Sequence, residues 1–275
     1  MCRSEINVLL QYLRTRMPGK IYLPCAAFLV IAGFAGGRHL KEPSMILAFI
    51  QAVTLVMQFR LLDDLNDIAF DRLRHPDRVM SQVLSLAPFQ ILLALSFVIN
   101  LILSKLQPGP ENRLFVLLFL NAVFAAWYLW IQESLKETIS GYRVVLGKYP
   151  AFVFLLSGDV LRLRHLLLSM SFVYLCFTVY EVLHDSELLP QNDADKALKI
   201  DIFSLGVVSF LMAVELVGRV PLMGLIQGLI GLLNIIFVAT YFGSRKMHFK
   251  SAAKARMVFV GGFAVLLNFS FGVRI

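Results

Sequence analysis

Between Ser44 and Leu62 the chain carries one charge, Arg60, and apolar runs of similar length recur as far as Phe271. About 20 residues wound as an α-helix cover the roughly 30 Å of a bilayer's hydrocarbon core. In lipid every backbone polar group must be bonded within the protein, so such runs fold as helices. Water-soluble domains carry about 25% charged residues. Here the figure is 16%, with 58% hydrophobic residues and a mean hydropathy of +0.74. The sequence therefore predicts an all-α polytopic membrane protein, one domain over residues 1–275, integral to a bacterial inner membrane or a eukaryotic internal membrane.

Nine spans are expected, at 21–37, 44–62, 82–104, 114–132, 142–158, 165–183, 200–218, 220–243 and 257–273. The fifth contains Arg143, Lys148 and Pro150, which fit a membrane helix least well. With the N-terminus in the cytoplasm, 18 of the 26 Lys and Arg residues fall on the cytoplasmic side and 8 on the other. That asymmetry is the positive-inside bias. It also accounts for the net charge of +8 without nucleic acid, membrane lipids with anionic headgroups being the expected partner. Pro18–Gly19 and the long basic stretch before Ile21 suit a retained first helix better than a cleaved leader. Cys2, Cys25 and Cys176 have no paired spacing, which excludes a disulfide framework or a cysteine metal site.

Directly after the second apolar run stands RLLDDLNDIAFDRLRHPDR, residues 60–78. Asp63, Asp67 and Asp71 follow one another at i, i+4 and i+8, so each turns only about 40° around a helix, and Asp64 joins their face. Carboxylates so stacked repel one another unless cations lie between them. Oxygen-only donors of this kind suit Mg²⁺, which takes one or two carboxylates together with water and phosphate oxygens. Arg60, Arg72, Arg74 and Arg78 interleave with the acids, and arginine forks match phosphate oxygens. Carboxylates for Mg²⁺ and arginines for phosphate, beside an apolar bundle, point to a lipid diphosphate ligand. The plainer alternative is ion pairing at a helix end, Arg60 with Asp64 and Asp67 with Arg74. Arg143 and Lys148, entering a membrane helix on the same predicted side, are further candidates for binding phosphate.

The stretch DDLNDIAFDR resembles the first aspartate-rich motif of the UbiA superfamily of intramembrane prenyltransferases, NDxxDxxxD after the second membrane helix. Asp63 stands where that family has Asn, whereas Asp64, Asp67 and Asp71 match, and His75–Arg78 resembles the motif's tail. The opening LRTRMPGKIYLPCAAFLVIAGF is similar to the family's first helix, and nine spans agree with its bundle. The family's second motif, YxxKDxxxD, meets TVYEVLHDSELLPQNDAD here, where Tyr180 matches and Leu183 replaces the lysine. Glu181 and Asp185, at i and i+4, then stand as the second metal-binding set, while Glu187, Asp193 and Asp195 are out of register.

The resemblance implies Mg²⁺-dependent ionisation of a prenyl diphosphate. Asp63, Asp64, Asp67, Asp71, Glu181 and Asp185 would be metal ligands, and Arg72, Arg78, Arg143, Lys148 and Tyr180 would face the diphosphate. It implies transfer of the prenyl group to a lipophilic or aromatic acceptor, or alternatively cyclisation of the prenyl chain as in terpene cyclases of the superfamily. Transport is a third and more distant possibility. Its one midspan carboxylate, Glu215, has Arg219 at i+4 as the expected partner. Gln58, Asn121 and Asn234 are expected to bond between helices, His165 to lie at an interface, and residues 184–199 to be a non-helical connection broken by Pro190 and Asn192.

Overall fold

A computed structural model describes residues 3–35, 42–107, 112–135, 138–157, 162–184, 191–243 and 252–273, with backbone only at 3–4, 42–43, 133–134, 183–184, 191–195, 234–243 and 252–257. The described secondary structure is entirely helical. Six helical segments are long and apolar enough to cross a bilayer: Ser44–Asn66, Ala87–Leu106, Arg113–Ile131, Ile139–Leu156, Leu163–Val182 and Lys196–Val217. Each falls on an expected span. The first expected span lies in a bent pair, and the last two correspond to shorter apolar stretches, Pro221–Leu233 and Val258–Gly272, among the described residues.

The helices gather in two compact units, Met1–Val30 with Leu40–Pro108, and Ile31–His39 with Gly109–Ile275. The first holds α1 (Arg3–Arg16), most of α2 (Gly19–Phe34), α3 (Glu42–Asn66), α4 (Ile68–Arg74), α5 (Val79–Gln82) and α6 (Ala87–Leu106). α1 and α2 meet at a bend of 66°. Pro18 at the joint has no N–H and disfavours helical geometry at Met17, so the helix cannot run straight through. Tyr12, Leu61, Val79, Met80 and Phe89 close a small core around α1, with the Tyr12 and Phe89 rings edge to face at 5.2 Å.

α3 and α6 pack side by side, and a run of buried polar side chains joins them. Gln107 Nε2 donates to Gln51 Oε1 at 2.7 Å and Gln51 Nε2 to Ser104 Oγ at 2.7 Å. Thr54 Oγ1 donates to Asn100 Oδ1 at 2.6 Å, and Asn100 Nδ2 to Gln58 Oε1 at 2.8 Å. Gln51, Thr54 and Gln58 recur at i, i+3 and i+7, and Asn100, Ser104 and Gln107 at i, i+4 and i+7, so each set forms one stripe. Without water, these groups must satisfy one another. Gln58 thus bonds between helices as expected. Asn121 Nδ2 donates to the Leu117 carbonyl of its own helix at 2.8 Å. The Asn234 side chain lies outside the described residues.

The second unit comprises the end of α2, α7 (Arg113–Ala126), a π-helical turn (Trp127–Ile131), α8 (Gln132–Leu135), α9 (Ile139–Leu146), α10 (Lys148–Leu156), α11 (Leu163–His184), α12 (Gln191–Val217), α13 (Pro221–Gly243) and α14 (Ala252–Gly272). The expected fifth span is two helices in series. α10 opens at Lys148, and Pro150 occupies its first turn, where a missing N–H costs nothing. α12 is already helical at Gln191 with Asn192 in its first turn, so the connection expected through residue 199 is shorter than predicted. Asn is tolerated there because a first turn leaves backbone N–H groups for polar side chains.

Close approach explains two glycines. A methyl on Gly33 would meet the Leu156 carbonyl carbon at 3.0 Å, and one on Gly224 would lie 2.4 Å from Val217 Cγ2 and 2.5 Å from its backbone nitrogen. Among the described residues, several charges within these helices have partners. Arg143 binds Asp201 at 2.7 Å, and Arg113, 2% exposed, donates to the Ser157 carbonyl. Glu215 has Arg219 at 3.7 Å as expected, but His165 at 2.9 Å and Arg164 at 3.1 Å lie nearer. His165 is therefore a buried partner of Glu215, not an interfacial residue, because α11 carries it alongside α12.

Candidate active site

The acidic stretch straddles the end of α3. Regular helix ends at Asn66, Asp67 is a turn residue at φ −87° and ψ 1°, and α4 resumes at Ile68. Bonds from Asp67 N to Asp63 O (3.0 Å) and from Asp71 N to Asp67 O (2.8 Å) carry the helical path across the joint, so the i, i+4, i+8 relation persists.

The four carboxylates have different surroundings. Asp64 is buried, and three hydrogen bonds and an ion pair engage its two oxygens. Oδ1 takes Arg16 Nη2 at 2.7 Å and lies 3.4 Å from Arg60 Nη2. Oδ2 takes the Tyr12 hydroxyl at 2.8 Å and Arg16 Nε at 3.1 Å. Asp71 is also buried and is held by Arg78 across the turn that follows α4. Asp63 and Asp67 are half-buried, one helical turn apart. Sequence spacing alone did not separate these pairs, because Tyr12 and Arg16 lie about 50 residues from Asp64.

Arg60 and Arg78 bind motif carboxylates, Arg72 is exposed and reaches the Val83 carbonyl at 3.4 Å, and the Arg74 guanidinium lies 4.5 Å over the Phe70 ring. Arg60–Asp64 is therefore a real pair, though Asp64 is interior and not at the surface.

In the second unit, Tyr180 and Glu181 lie half-buried near the end of α11, and Asp185 is outside the described residues. Tyr180 belongs to an aromatic cluster. Its ring is 5.0 Å from Phe259, Phe259 is 4.9 Å from Phe177, and Phe177 stacks on Tyr149 at 3.4 Å. Buried Lys148 places its ammonium 5.7 Å from the Tyr149 ring. Arg143 is engaged by Asp201 from α12, and its carbonyl accepts the Tyr174 hydroxyl at 3.1 Å. Asp201 escaped the sequence analysis. Its signal was a lone acid at the start of an apolar run, facing a chain that offers Arg143 58 residues earlier.

Among the described residues no three His, Cys, Asp or Glu side chains gather so that they could hold a metal unaided. Two half-buried carboxylates one turn apart still fit Mg²⁺, which completes its shell with water and phosphate oxygens.

The protein is an integral, multi-pass α-helical membrane protein with an acidic site at a helix end. Its fold is that of the UbiA-type proteins. Over 98% of this chain and 99% of the other it superposes on a structure of digeranylgeranylglyceryl phosphate synthase in membranes, with a TM-score of 0.63 and 14% identity. It likewise matches the apo structure of a UbiA homolog from Aeropyrum pernix K1, with a TM-score of 0.61 and 16% identity over 93% of this chain and 97% of that one. Neither protein-family models nor curated protein sequences give a match.

Proposed function

We propose that the protein is an intramembrane prenyltransferase that ionises an isoprenyl diphosphate and passes the prenyl group to a lipophilic or aromatic acceptor. The observation that carries this is the coincidence of a UbiA-type fold over nearly the whole chain with paired carboxylates at the end of α3. Asp63 and Asp67 would hold Mg²⁺, whose charge neutralises the departing diphosphate. Arg72 supplies a cation near that position, while Arg78 is retained by Asp71 and completes the turn. Glu181 with Asp185 would be the second metal-binding pair, and Tyr180 and Lys148 would bind diphosphate oxygens. Aromatic π-faces would stabilise the allylic cation, and an apolar surrounding would keep water from it. The same proposal includes nine spans with a cytoplasmic N-terminus, testable by labelling single cysteines from each side of the membrane.

Cyclisation of the prenyl chain is the second reading. The Arg143–Asp201 pair favours it, because Arg143, a natural anchor for an acidic aromatic acceptor, is already neutralised. Incubation of the purified protein with geranylgeranyl or farnesyl diphosphate decides between them. Turnover that needs Mg²⁺ and an added acceptor supports transfer, and a cyclic hydrocarbon formed without acceptor supports cyclisation. Turnover unaffected by chelation of divalent ions would refute the proposal.

A further inference from the structure

We infer that Asp64 is a positioning residue that clasps α1 to the mouth of the acidic site and is not itself a ligand of the metal ion. The inference deepens the prenyl-diphosphate reading and rests on it for the ion. An ionised carboxylate offers about four lone-pair positions. At Asp64 three hydrogen bonds, one from Tyr12 and two from Arg16, engage both oxygens, and Arg60 lies 3.4 Å from Oδ1 as an ion pair. A cation entering there would compete with two guanidinium groups and leave them uncompensated beside it.

The clasp has a mechanical purpose in the local architecture. α1 is amphipathic: Tyr12 is buried against Phe89, whereas Ile6 and Leu10 face outward. Pro18 breaks its helical continuity with α2 at the 66° bend, so helical stiffness does not fix its direction. Two residues one turn apart on α1, Tyr12 and Arg16, converge on a single carboxylate of α3. Paired contacts of that kind fix both the distance and the rotation of a helix. Because Arg16 binds through two nitrogens, the geometry is that of a bidentate fork, which a lone charge would not impose. Seated in this way, α1 brings Arg16 to Asp64 beside Arg60 of α3, and so sets the charge next to Asp63 in the chain.

The test measures two quantities in the full-length protein: Mn²⁺ binding with inorganic diphosphate by electron paramagnetic resonance, and amide hydrogen exchange across residues 5–16. Asp64→Asn, and separately the Tyr12→Phe/Arg16→Gln double variant, should speed α1 exchange about tenfold or more. Asp64→Asn should hold Mn²⁺ affinity within about threefold, whereas Asp67→Asn should lose about tenfold or more and leave α1 protected. The inference is overturned if Asp64→Asn weakens Mn²⁺ binding about tenfold or more, or if it leaves α1 exchange unchanged. A wild-type protein that binds no Mn²⁺ with diphosphate refutes the functional reading instead, and the exchange measurement still decides the clasp.

Discussion

Replacing Asn100 by Leu tests how much of the first unit is held by polar contacts. Asn100 is fully buried, accepts from Thr54 and donates to Gln58, and so occupies the middle of the α3–α6 stripe. Side-chain bonds between membrane helices average about 0.6 kcal/mol and reach about 1.7. Thr54 can fall back on the Ile50 and Gln51 carbonyls at 3.1 and 3.0 Å, which limits the loss on that side. Gln58 loses an interhelical donor in a site without water. The expected destabilisation is about 1–3 kcal/mol. Reversible unfolding in sodium dodecyl sulfate, followed by circular dichroism, measures it. Asn66→Leu is the control, because Asn66 is exposed and its side chain donates to the Leu62 carbonyl of its own helix, and it should change stability by less than about 0.5 kcal/mol. Equal effects from the two substitutions would refute the view that the stripe, and not polarity as such, carries the stability.

Other substitutions address the second unit. Gly224→Ala should cost about 1–3 kcal/mol through overpacking against Val217, whereas Gly228→Ala, whose methyl would meet Ala213 Cβ at 3.8 Å, should be tolerated; thermal unfolding compares them. Asp201→Ala leaves Arg143 without its counter-ion and should lower stability by about 1–3 kcal/mol, less than for a fully buried pair because Arg143 is partly exposed. Adding Arg143→Met should recover much of that loss, and a double-mutant cycle reads the coupling. In the functional assay, Asp67→Ala should lower turnover at least about 100-fold, whereas Lys105→Ala, exposed in the last turn of α6, should change it little.

The long apolar segments were legible because lipid imposes one rule on every backbone group, and a run such as 44–62 has no competing solution. The break between α9 and α10 was visible only as three awkward residues, Arg143, Lys148 and Pro150, whose accommodation depends on the partner that α12 brings to Arg143. The acidic stretch announced itself by spacing, yet spacing made its four members equivalent. What separates Asp64 from Asp63 is a tyrosine and an arginine one turn apart on a helix some 50 residues away. Glu215 shows the same limit. Its local partner Arg219 was readable at i+4, and its nearer partner His165 was not, since that contact is made by packing of α11 on α12.

The α3–α6 stripe has a further consequence for where chemistry can occur. Its rungs at Gln51, Thr54 and Gln58 admit one vertical setting of α3, since sliding by a single turn would strand each rung in hydrocarbon. Asp63 follows Gln58 by five residues, about 7.5 Å along the axis. The polar rungs thus act as a ratchet, fixing the height of the carboxylates along α6. A diphosphate-bearing lipid, whose head floats at the water boundary while its tail stays submerged, would meet them at a single level.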